Sequence, residues 1–207
     1  MGRVEYGRAH ALQTALVEAV SKGRAPDTVL LLEHEPVITV GRSASDAELS
    51  ALRSTACPSG PFPVVHVERG GSITFHAPGQ LVAYPIVHLD RAGRDLHRWL
   101  TMLERAVVAT LSHYGLAATP GNRQARGVWV DGKKVASVGV AVRRWVSFHG
   151  VAINVRAAWR PPVGVPLCRM SADAYTSLEE MGVDVELLDV ALVLASQIAR
   201  ECGFRGI

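Results

Sequence analysis

At 207 residues the chain is sized for one domain or two small ones, long enough to hide roughly 70% of its unfolded surface. With 48% hydrophobic and 20% charged residues and a net charge of +3, it is too apolar and too weakly charged to be disordered. Arg143 with Arg144 and Lys133 with Lys134 are the densest basic spots, and aromatics make up only 6%. Nucleic-acid binding is therefore set aside, while attraction to an acidic protein partner stays compatible with the charge.

In chain order, Leu12, Leu16 and Val20 recur every four residues and predict an amphipathic helix over 9–21, ended by Gly23 to Pro26. Two strands follow, over 28–32 and 37–40. Residues 41–61 lose periodicity and read as a loop with at most one short helix. Strand character returns over 64–67, 73–75 and 81–87, with Gly70-Gly71 and Pro78-Gly79 as breakers. Leu96, Leu100, Leu103, Val107 and Leu111 mark a long helix closed by Gly115. Residues 127–130, 134–142 and 145–155 read as strands, the first two joined by an Asp131-Gly132 hairpin turn. A last helix runs over 185–202, capped at Asp184, with Leu187, Ala191, Leu194 and Ile198 on one face. Helices and hairpins in this order, without regular βαβ alternation, give an α+β fold: a mostly antiparallel sheet with helices packed on it. One domain over 1–207 is the economical reading, with a small lobe after Pro161-Pro162 as the alternative.

Residues 1–6 carry no apolar stretch of secretory type, and no apolar run reaches the length of a transmembrane helix. Cys57, Cys168 and Cys202 are odd in number and form neither a zinc spacing nor a disulfide framework, so free thiols in a reducing cytoplasm are the simplest reading.

Phosphate loops, G-x-G-x-x-G turns and G-x-S-x-G elbows are absent, which leaves cysteines, histidines and glycine turns to carry chemistry. From Arg69 to Gln80, two glycines after a strand permit close backbone approach to a ligand, and the next strand displays Thr74 and His76 on one face. The same residues also fit a plain hairpin with a surface arginine. In Lys133-Lys134-Val135, Lys134 alternates with Val135, so one of that pair points into the packed side, and a lysine in an apolar setting is poised as a base; two solvated lysines on a turn are the alternative. The balance of cations sharpens this point. Of the 22, 19 are Arg, which does not deprotonate in proteins, and only Lys22, Lys133 and Lys134 are amines. Cys168 lies in an irregular segment beside a cation, as a nucleophilic thiolate does, although an inert buried thiol is the commoner state of a cysteine. Cys57 is the weaker competitor, and Cys202 on the last helix reads as structural.

Four blocks together resemble the lipoyl(octanoyl) transferase family. They are Leu31 to Arg42 (LLEHEPVITVGR), Arg69 to Pro85, Gly127 to Gly139 continued by Ser147 to Val155, and Cys168 with Thr176-Ser177-Leu178. The resemblance implies a biotin/lipoate-ligase-like fold. It also implies transfer of an octanoyl group from octanoyl-acyl-carrier-protein to the lipoyl-domain lysine of 2-oxoacid dehydrogenase subunits and the glycine-cleavage H-protein. In the family's manner Cys168 would carry the acyl group as a thioester. Lys134 would be its charge partner and base. Arg69, Gly70, Gly71, Ser72, Ile73, Thr74, Phe75, His76, Ser137, Val138, Gly139, Gly150, Val151 and Ala152 would line the acyl pocket, with His34 and His149 nearby. No metal, cofactor or membrane is implied, and a monomer is the family default. Leu167 and Arg169 stand where the family has Pro and Gly, while the eight-residue step from Cys168 to Thr176 is kept. An ATP-dependent lipoate or biotin ligase, or a non-catalytic acyl-carrier-protein binder, are the alternatives.

Overall fold

The computed structural model describes residues 2–54, 62–90, 92–122, 125–160, 162, 165, 167 and 170–203. Cys57, Cys168 and Arg169 lie outside the described residues. The described elements run β1 (Arg3–Val4), α1 (Tyr6–Ser21), β2 (Thr28–His34), β3 (Val37–Val40), α2 (Asp46–Ser54), β4 (Val64–His66), β5 (Ile73–His76), β6 (Gln80–His88), α3 (Leu96–His113), β7 (Ala118–Pro120), β8 (Gly127–Val130), β9 (Lys133–Arg143), β10 (Val146–Asn154) and α4 (Leu187–Cys202).

Seven strands form one sheet in the order β1-β2-β6-β10-β9-β8-β7, antiparallel except for β1 against β2, and β4-β3-β5 form a second, mixed sheet. Strand alternation in β6 explains the layering. Leu81, Ala83 and Val87 share a cluster with Leu103, Val107 and Leu111 of α3 and Leu194 and Ile198 of α4, whereas Val82, Tyr84 and Ile86 pack with Ala9, Val17 and Val20 of α1. Helices therefore cover both faces of the large, mostly antiparallel sheet. No described helix is long and apolar enough to cross a membrane.

Two readings are corrected. The buried stripe of α1 is Tyr6, Ala9, Gln13, Val17 and Val20, and Leu12 is 36% exposed. A polar residue occupies the centre of that stripe because the Gln13 carbonyl oxygen accepts the His149 amide at 2.7 Å. The last helix starts at Leu187, not near Asp184: Arg156 holds Asp184 at 2.6 Å and Glu186 at 2.7 Å, so neither carboxylate caps the helix. The short helix allowed for within 41–61 is α2, opened by a capping box in which Ser45 and Glu48 exchange hydrogen bonds.

Candidate active site

The site begins at a proline. Pro85 sits in the middle of β6, where it has no N–H to give β10, and the pairing skips from Ser147–Val87 to Val151–Ala83. Across the gap His149 takes a left-handed backbone (φ 57°), and Gly150 fits so closely that a Cβ there would overlap Ala83 O and Pro85 Cδ. Beside this opening lies a cavity of about 400 Å³, at the smaller end of ligand pockets.

The second wall is the Arg69-Gly70-Gly71-Ser72 turn, held by its own arginine. Arg69 is 7% exposed, which removes the surface-arginine reading. Its guanidinium donates to the Gly70, Ser72 and Thr39 carbonyls at 3.0–3.1 Å and to Thr39 Oγ1 at 2.7 Å. The Gly70 amide bonds Val140 O at 3.0 Å, tying the turn to β9, and Gly71 has φ 84°. Gly41 admits the turn, because a Cβ there would overlap Gly71 O.

Twelve of the fourteen candidate pocket residues line this one cavity: Arg69, Gly70, Gly71, Ser72, Thr74, His76, Ser137, Val138, Gly139, Gly150, Val151 and Ala152. Ile73 and Phe75 do not. They alternate to the opposite face of β5 and pack with Ile38, Val40 and Trp159 in the small sheet's core. Of the two lysines, Lys133 is exposed and Lys134 is 4% exposed and lines the cavity, with Nζ 5.1 Å from the centre of the Trp129 ring. Leu167 and Met170, the described residues nearest Cys168 in sequence, are bridged to each other. Met170 lines the cavity, and Leu167 O accepts the Tyr175 hydroxyl at 3.0 Å. Cys202 is buried in the core formed with α3.

A buried polar chain that sequence reasoning left without a role runs beneath the cavity to the lysine. His76 Nδ1 donates to Gln80 Oε1 (2.8 Å), Gln80 Nε2 to Asn154 Oδ1 (2.9 Å), Asn154 Nδ2 to Thr176 O (2.9 Å) and Thr176 N to Lys134 O (3.0 Å). Each link satisfies a buried group, as burial demands. Gln80, Asn154 and Thr176 stand in the blocks that carry the family resemblance, but their pairings span up to 74 residues.

The histidines around the cavity are neutral. Burial, followed by the repulsion that a protonated His34 and the Arg69 guanidinium would exert, holds His76 well below the ordinary imidazole range. Burial outweighs the Val4 carbonyl bond and lowers His34, while burial and then Arg69 take His149 to about 4. Histidines 34 and 76 have folded values below their unfolded ones, so the unfolded chain binds more protons once the pH drops below about 6.5. Their contribution to stability is present above that pH and is lost on acidification. Thermal melts should show Tm falling between pH 7.5 and 5, above the range where carboxylates titrate; a Tm that is flat or rises over that interval would refute neutral burial.

This α+β fold is shared with solved protein ligases for lipoate and biotin. A solved lipoate-protein ligase A bound with ATP superposes with a TM-score of 0.69 over 99% of this chain and 85% of that one, at 16% identity. The biotin protein ligase of Aquifex aeolicus in complex with biotin and ATP gives 0.54 over 80% and 70%, at 17% identity. The chain belongs to the lipoyl protein ligase A/B catalytic domain family, whose model matches residues 5–199, and it is a transferase of that family. The protein named octanoyltransferase in Geobacter metallireducens is 42% identical over 200 residues, covering 95% of this chain and 89% of that one.

Proposed function

We propose that the protein transfers an octanoyl group from octanoyl-acyl-carrier-protein to the lysine of a lipoyl domain, through a thioester on Cys168. The observation that carries this reading is Lys134, buried in the wall of the cavity that Met170 also lines. Cys168 precedes Met170, a residue that lines the same cavity, by two positions in the sequence.

In the first step the Cys168 thiol gives its proton to the Lys134 amine, and the thiolate adds to the donor thioester carbonyl. Collapse expels the carrier thiolate, which takes the proton back from the Lys134 ammonium, leaving octanoyl-Cys168 and a neutral amine. In the second step the lipoyl-domain amine adds to the new thioester, Lys134 accepts its proton, and collapse forms the amide and frees Cys168. The Gly71 amide, next to the Gly70 amide that is held by Val140 O, supplies a donor for the oxyanion of each tetrahedral adduct. Val82, Val138, Val140 and Val151 give the acyl chain an apolar wall. A thioester is exchanged for a thioester, so acyl loading needs no separate activation.

Mass spectrometry after incubation with octanoyl-acyl-carrier-protein is the test. The protein should gain one octanoyl mass, and Cys168→Ala should gain none. Labelling that survives the substitution, or loading of free octanoate only with ATP, refutes the reading.

A further inference from the structure

Three side chains outside the mechanism converge at the rim where α1, the glycine turn and β10 meet. His10 Nε2 lies 3.0 Å from Glu68 Oε2, His149 Nε2 lies 3.5 Å from the same oxygen, and one donor atom from each residue falls within 4.8 Å of the others. We propose that His10, Glu68 and His149 form a binding site for a zinc-class divalent cation.

The donor set selects the ion. Two imidazoles and one carboxylate suit Zn²⁺ and Co²⁺, whereas Mg²⁺ and Ca²⁺ prefer oxygen throughout. A tetrahedral zinc with bonds of about 2.0–2.1 Å holds its donors about 3.3 Å apart, which is the separation Glu68 already keeps from both imidazoles. An independent observation points the same way. His149 is 2% exposed, yet its Nε2 makes no hydrogen bond among the described residues, and a buried polar atom in that state calls for an explanation. Its backbone is fixed in the left-handed region and anchored by Gln13, so the ring is presented rather than free to turn away.

His10 and Glu68 are 31% and 41% exposed at their side chains, which leaves an entry path and room for a water in the fourth position. Arg143, 3.6 Å from Glu68 Oε1, faces the other carboxylate oxygen, so Glu68 would bind through Oε2 alone. That arginine and Arg69 near His149 oppose a second positive charge and weaken the site relative to a structural zinc centre. An ion here would join the glycine turn to α1 and β10 beside the cavity without entering the proposed acyl-transfer chemistry.

Zn²⁺ titration of the metal-free full-length protein by calorimetry tests the site, with His10→Ala and Glu68→Gln in parallel. Both residues are partly exposed, so both variants should melt near the parent when metal is absent. The parent is expected to bind one Zn²⁺ more than either variant, or to bind it at least about tenfold more tightly, and to gain Tm on adding Zn²⁺ where the variants do not. Co²⁺ should give the parent an intense visible band of four-coordinate cobalt that both variants lose. Absence of Zn²⁺ binding by the parent, or binding that either variant retains at parental affinity and stoichiometry, overturns the site.

Discussion

Lys134→Arg is expected to reduce octanoyl transfer by roughly 10²–10⁴-fold, the usual worth of a positioned base, although it keeps the charge. Arginine does not release its proton near neutral pH, so it can neighbour a thiolate but cannot accept a proton from an incoming amine. Space matters as well, because Lys134 is 4% exposed and its amine lies over the Trp129 ring. Lys134→Met, close in length and uncharged, separates crowding from chemistry and should lose activity to a similar degree while melting near the parent. The two variants should part company at Cys168: alkylation of its thiol at neutral pH should slow in Lys134→Met, which removes the cation, and less so in Lys134→Arg. Lys133→Arg, at the exposed neighbour, should be indistinguishable from the parent. An arginine variant with more than a tenth of parental activity would remove the base role from Lys134.

That experiment rests on a distinction the sequence made only by halves. Alternation places either Lys134 or Val135 on the packed side, whereas both are buried, Lys134 beneath the docked segment at Tyr175 and Thr176. Thr176 N bonds Lys134 O, and Tyr175 is bridged to Lys134. The strands of the large sheet were legible because β6 and β10 are buried along nearly their whole length and so read as apolar runs. Helix α1 was legible in extent but not in orientation. Its stripe is shifted by one position from the leucines because Gln13 is spent on the strained backbone at His149, a demand created 136 residues away. The Ser45-x-x-Glu48 capping box was readable and marks α2, while the further use of Glu48 Oε1, accepting from Ser72 Oγ at 2.7 Å, needs the fold. Glycine spacing pointed to segments that the fold brings to one cavity, since close approach is what glycine uniquely permits. It was silent on the chain from His76 through Asn154 to Lys134, whose members are matched by hydrogen-bond geometry rather than by any local pattern.

Gly127→Ala is expected to cost roughly 2–4 kcal/mol of stability and, in addition, to depress activity of the remaining folded protein. Gly127 opens β8 at φ 143°, a region that L side chains rarely adopt, and its amide donates to the buried Glu104 Oε1 at 3.0 Å. Arg126 holds the other oxygen of Glu104 at 2.8 Å, so the backbone here cannot slide to relieve the strain without breaking a buried ion pair. An added methyl would overlap Ala136 O and stand 2.7 Å from Lys134 Cε and 3.3 Å from Nζ. The backbone overlap has no cheap remedy, while the contact with the lysine has one: the amine moves, and the proposed base leaves its place. Gly132→Ala is the matched control. It too has positive φ, 76°, but a Cβ there meets nothing within 4 Å, so it should lose about 1 kcal/mol from strain alone and keep its turnover. Urea denaturation and initial rates per folded molecule give the two comparisons. Equal stability losses in both variants would mean that close packing at Gly127 does not matter. A Gly127→Ala enzyme with parental turnover would mean that the amine tolerates displacement, and with it that its position in the wall is not what drives transfer.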